Sequence, residues 1–126
     1  MKKYLLLLAY ILFMSSYIAQ PGIDEIVTAC KSANATQLSR HLDNNVEITL
    51  PSGNNVYPKN QAVQVLQRFF NEQQPKSFEL VHKGGNNASF YCIGILHARQ
   101  LNFRATFYLK QVNNSLLVQE ISFEKQ

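Results

Sequence analysis

Apolar positions along the chain recur first at intervals of three and four, then at intervals of two. Ile23, Ile26, Val27 and Cys30 share one face of a helix. Asp24 and Glu25 lie in its first turn, where negative charge favours the helix dipole. Ser32 to Asn34 breaks that helix. Asn34 with Gln37 three residues later reads as a capping box. It opens a second short helix with Ala35, Leu38 and Leu42 inward, and "DNN" ends it. "VEITL" alternates Val46, Ile48 and Leu50 against Glu47 and Thr49, a half-buried strand, and "PSGNN" is a turn cluster. Pro58 then suits a first helical position, where its missing N–H costs nothing. Ala62, Val65, Leu66, Phe69 and Phe70 share the apolar face of this third helix. Lys59, Gln64, Gln67 and Arg68 lie mostly elsewhere, and Pro75 ends the helix near Asn71–Gln73.

Beyond Pro75 the period changes to two. "KSFELVHKG" places Phe78, Leu80 and His82 on one side, with Glu79 and Val81 on the other. "GGNN" signals a hairpin. "ASFYCIGILHA" is apolar on both faces, as a central strand is. "LNFRATFYLKQ" sets Phe103, Ala105, Phe107 and Leu109 against Arg104, Thr106, Tyr108 and Lys110. After the turn "VNNS", the last strand places Leu117, Ile121 and Phe123 together, with Gln119 among them. The expected order is helix, helix, strand, helix, then four strands in a meander, with no repeat and no linker.

The first twenty residues stand apart. Lys2 and Lys3, the apolar run Leu5–Met14 and the small residues after it follow the order of a secretory signal peptide. The run is shorter than the roughly 20 residues that span a bilayer. The expected organisation is a signal peptide over residues 1–20 and one domain over residues 21–126, secreted or periplasmic. Ala19 suits a cleavage position and the bulky Tyr17 does not, so an uncleaved anchor is the other reading. Losing Lys2 and Lys3 lowers the basic count from 12 to 10 against 8 acidic residues, so the net charge falls from +4 to +2. The remaining basic residues are dispersed, whereas a nucleic-acid binder shows a basic stripe or cluster.

Cys30 lies on the apolar side of a helix and Cys92 lies in a strand. Layers packed about 10 Å apart, less a helix radius of about 2.3 Å, leave the two Cα atoms about 8 Å apart. A disulfide needs less than about 7 Å. Two buried free thiols are expected, with a bridge the alternative.

The order of elements, and several segments, resemble the nuclear transport factor 2-like superfamily. "ACKSANATQLSRHLDNNVEITLP" is similar to its opening helix, break, second helix and strand, and "VYPKNQAVQVLQRFF" to its third helix. "KSFELVHKG", "FYCIG" and "FRATFYLKQVNNSLLVQEISFEK" resemble its later strands. Within it, residues Gly22 to Lys125 are most like an uncharacterised bacterial secreted family, domain of unknown function 4783. The resemblance implies an α+β cone: three N-terminal helices packed on a curved, mostly antiparallel sheet. It leaves the chemistry open, because the superfamily holds isomerases, dehydratases, cyclases and plain binding modules on one fold.

A cone-pocket enzyme of the isomerase, dehydratase or hydrolase kind needs an acid–base group opening into the cone. Glu47 and Glu79 point away from the apolar side, which leaves Glu120, beside Leu116 and Val118, as the carboxylate to examine. His82, on the inward face of its strand, is a candidate base and otherwise a rim or core histidine. Tyr91 is a candidate phenol donor, as are Tyr57 and Tyr108; such tyrosines more often bury a ring and keep the hydroxyl wet. Phe69, Phe70, Phe103 and Phe107 would line the pocket. His41, His82 and His97 lack metal-ligand spacing, and no cofactor is expected. With no converging acid, base and nucleophile, the reading favoured is a non-catalytic exported module. It would bind a small apolar ligand or a protein partner, or form a homodimer through the exposed sheet face.

Overall fold

The computed structural model describes residues Pro21–Gln126; the signal peptide read over residues 1–20 lies outside the described residues. The elements are α1 (Pro21–Lys31), α2 (Ala35–Leu38), a 3-10 turn (Ser39–His41), β1 (Leu42–Leu50), β2 (Gly53–Pro58), α3 (Lys59–Gln73), β3 (Ser77–Gly85), β4 (Ser89–His97), β5 (Asn102–Val112) and β6 (Ser115–Lys125). One curved six-stranded sheet runs β2-β1-β6-β5-β4-β3. Every pairing is antiparallel except β1 with β6. The helices cover one face of this sheet and leave the other open.

The helix periodicity holds. Ile23, Ile26, Ala29 and Cys30 of α1 are buried, as are Ala35 and Leu38 of α2 and Ala62, Leu66, Phe69 and Phe70 of α3. Asn34 caps α2 by accepting from the Gln37 N–H at 3.2 Å. Gln74 ends α3 in the left-handed region, φ 51°, and returns its N–H to the Phe70 carbonyl. Gln67, on the polar side of α3, reaches the α1–α2 junction. Its Oε1 accepts from the Ala35 N–H at 3.0 Å, and its Nε2 donates to the Ala33 carbonyl at 3.2 Å.

Four expectations are corrected. The turn cluster after β1 opens a whole strand: Asn54 to Tyr57 continue as β2, paired with β1, and α3 therefore follows a hairpin. Exposed polar residues on an edge strand carry no alternation, and that hid it. Pro58 ends β2 and precedes α3 as its cap rather than occupying its first turn. Leu42 and "DNN" belong to β1, not to the second helix, although Leu42 is buried as expected. Finally, two bulges reset the alternation. At Leu80/His82 the register shifts, leaving Val81 unopposed and moving His82 off the Phe78–Leu80 face. At Tyr108/Leu109 the extra residue is Gln119, so Val118 rather than Leu117 shares the helix-covered face with Ile121 and Phe123. Gln119 then donates to the Asp43 carboxylate at 3.1 Å.

Candidate functional site

The space inside the cone is filled by rings. Phe69 lies 4.7 Å from Phe123 and 5.2 Å from Phe103, centroid to centroid. Phe70 and Phe107 each meet Phe123 edge-on, at 6.1 and 6.2 Å. Such tilted and edge-to-face pairs satisfy the ring quadrupoles. Phe70, Phe103, Phe107 and Phe123 are at most 1% exposed. The four phenylalanines expected to line a pocket thus come together as a plug, completed by Phe123.

The other three candidate residues lie on the opposite face. Cys92, Gly94 and Leu96 of β4 point to the helices, so Tyr91, Ile93 and Ile95 between them point to the open face. His82 is opposite Ile93 and joins them there through the Val81 bulge. Its Nε2 shares a 2.8 Å hydrogen bond with the Tyr91 hydroxyl. The Tyr91 ring reaches across β3 because residue 84 is glycine: a Cβ there would stand 2.8 Å from the tyrosine oxygen. Tyr108 sits opposite Tyr91, Glu120 opposite Tyr108, and Glu47 beside Glu120. Glu120, His82 and Tyr91 therefore belong to one row on the open face, with Tyr108 between Tyr91 and Glu120, and none opens into the cone.

A groove of about 510 Å³ lies at the cone mouth. It is formed where β1 and β6 end and β5 begins, under the second half of α3. Leu50, Tyr57, Val65, Phe69, Leu101 and Phe103 supply an apolar lining, and Arg68, Glu72 and Lys125 stand around it. Of the candidate residues, Phe69 and Phe103 reach this groove; they are the outward end of the plug. Sequence reasoning missed Arg68 and Lys125. A signal existed for Lys125, since it continues the alternation Ile121, Phe123 at the same spacing.

Cys30 and Cys92 are free and buried. Burial, and then the neighbouring Cys92, push the Cys30 thiol pKa strongly upward; burial pushes Cys92 up to about 11. Thiols held protonated in this way are poor nucleophiles. Among the described residues no group of His, Cys, Asp and Glu is placed to hold a metal ion.

Helices packed on one face of a curved, mostly antiparallel six-stranded sheet form the nuclear transport factor 2-like fold. Structures sharing this fold alone include an NTF2-like protein of unknown function from Cytophaga hutchinsonii, 9% identical with a TM-score of 0.59, covering 83% of this chain and 87% of that one. The family model for the domain of unknown function DUF4783 matches residues 23–124, and the chain belongs to that family. A DUF4783 family protein from Bacteroides uniformis is 25% identical, with a TM-score of 0.79 over 82% of this chain and 95% of that one. Another from Bacteroides ovatus is 27% identical, with a TM-score of 0.78 over 81% and 93%. Comparison with curated proteins gives no match.

Proposed function

We propose that the protein is an exported, non-catalytic module that holds a small apolar ligand in the groove at its cone mouth. The observation that carries this reading is the division of the molecule. The cone interior is plugged by its own phenylalanines, and a groove with an apolar lining opens at the mouth. A volume of about 510 Å³ falls within the roughly 300–1,000 Å³ of small-molecule sites. The enzyme reading needs Glu120, His82 or Tyr91 to open into the cone, and all three side chains lie on the sheet face turned away from it. Export rests on the charged, apolar, small-residue order of residues 1–20. Among the described residues no helix is long and apolar enough to cross a membrane.

Native mass spectrometry of protein purified from its own host is the test. A small apolar molecule should remain bound, and Leu101→Asp, which places a negative charge in the lining, should release it. Protein that is empty and fails to take up an apolar fluorescent dye would remove the proposal. N-terminal sequencing of exported protein checks the compartment, since an intact Met1 counts against cleavage.

A second reading is favoured by the open face. Val56, Val81 and Tyr108 are 64, 59 and 49% exposed there, beside the half-buried Ile93 and Ile95. Glu47, Glu120 and Glu124 occupy its β1–β6 half, while Arg104 and Lys110 occupy β5. A second copy turned by a two-fold axis would lay one half on the other with opposite charges facing. Light scattering should then show a dimer that Tyr108→Asp dissociates. A wild-type monomer at high concentration would exclude it.

A further inference from the structure

On the helix-covered face, β6 presents Ile121, Phe123 and then Lys125, with Lys125 directly opposite Phe103 of β5. The strand thus sets an ammonium at the position where its apolar alternation reaches the cone mouth. Arg68 stands on the facing wall, three residues after Val65 and immediately before Phe69. Glu72 is one turn further along α3, a spacing that permits an ion pair with Arg68, yet none forms. Among the described residues neither Arg68 nor Lys125 has a carboxylate within ion-pairing distance. Two cations and one anion leave the groove wall with an excess of one positive charge over an apolar floor.

This inference rests on the groove being a ligand site: we propose that its ligand is an amphipathic carboxylate. The apolar body lies on Leu50, Val65, Leu101 and the edge of the phenylalanine plug, and the carboxylate is received between Arg68 and Lys125. The Arg68 guanidinium can donate two parallel N–H bonds to a carboxylate, and Lys125 adds a point charge. A monoanion matches the single positive excess. A phosphate dianion would exceed it and be repelled by Glu72 more strongly than a monoanion is. A cationic amphiphile would meet two like charges, and an uncharged one would leave both cations without a partner.

Titration calorimetry with decanoate, decanol, decylamine and decyl phosphate tests this with one apolar body and four heads. Decanoate should bind at least about tenfold tighter than decanol, the scale of a charge-assisted hydrogen bond. Raising the salt concentration should weaken decanoate and leave decanol unchanged. Arg68→Gln and Lys125→Gln should each narrow the difference, and the double variant should abolish it while keeping the decanol affinity. Both side chains are exposed, so these variants keep the fold. Replacing both by glutamate should reverse the preference toward decylamine. Equal binding of decanoate and decanol by wild type would overturn the carboxylate while leaving the apolar groove standing. Tighter binding of decyl phosphate than of decanoate would also overturn it. Failure of all four to bind would overturn this inference and the groove reading together.

Discussion

At the scale of single residues, close approach between side chain and backbone governs what the sheet tolerates. Gly94 lies on the helix-covered face of β4, and the Phe78 ring crosses directly over it. A Cβ there would stand 2.3 Å from the ring and 2.8 Å from the Glu79 carbonyl oxygen. Neither atom is free to move, because Phe78 is buried and Glu79 is in the ladder. Gly94→Ala should therefore cost about 1–3 kcal/mol through overpacking, read as a lower urea midpoint with an unchanged slope. The thiols give a pH-dependent counterpart. Cys92 titrates at 9.0 when unperturbed and at about 11 when buried. Between these values the unfolded chain binds fewer protons than the folded one, so stability falls as pH rises. The contribution is complete below pH 9 and lost as pH passes about 11. The slope for this one group is at most about 1.4 kcal/mol per pH unit. Cys92→Ala should flatten the alkaline limb of a pH series of urea melts. At neutral pH, iodoacetamide should label neither thiol until urea unfolds the chain. Burial of both cysteines was legible from their apolar settings; the ring over Gly94 was not, because it joins residues 16 positions apart by way of a hairpin register.

At the scale of elements, periodicity was informative wherever a strand or helix keeps one face against the core throughout. The three helices, the interior strand β4 and the clean alternation of β5 satisfy that condition. It fails at the bulges. One unopposed residue, Val81, exchanges the faces of everything after it, so His82 leaves the side it seemed to share with Phe78 and Leu80. Gln119 does the same in β6. A bulge residue has no compositional signature of its own, and the placement of two of the three acid–base candidates depended on these two positions. The edge strand β2 was lost for a different reason: it buries almost nothing. Contacts between elements were equally hidden. Gln67 reads as a solvent-facing position of α3, yet it satisfies the Ala35 N–H and the Ala33 carbonyl at the α1–α2 break, where Ala33 adopts φ 53°. Removing it leaves a part-buried donor and acceptor to find water. Gln67→Ala should cost about 1–3 kcal/mol. The loss should be visible by hydrogen exchange as faster opening of the Ala35 amide before any change in β4 or β5.

At the scale of the whole molecule, one residue belongs both to what stabilises the cone and to what opens at its mouth. Phe69 packs against Phe70, Phe103 and Phe123, and its outer side lines the groove. The depth of the groove is therefore set by the same ring that closes the interior, so stability and ligand size are coupled through it. Phe69→Ala should cost about 3–5 kcal/mol. For a domain of this size, stable by about 5–15 kcal/mol, that brings unfolding within reach of mild conditions. Phe69→Leu keeps most of the apolar contact and should cost less, within about 0.5–3 kcal/mol, and it is the variant suited to binding. By withdrawing the ring edge it deepens the groove toward Phe103 and Phe123 while leaving Arg68 and Lys125 in place. The expected outcome is a shifted preference for ligand length: the leucine variant should gain for dodecanoate relative to decanoate, with the salt dependence of both unchanged. An unaltered ratio would mean that the ligand body does not approach the plug. If the variant instead lost its salt dependence, Phe69 would be holding Arg68 in position rather than limiting depth.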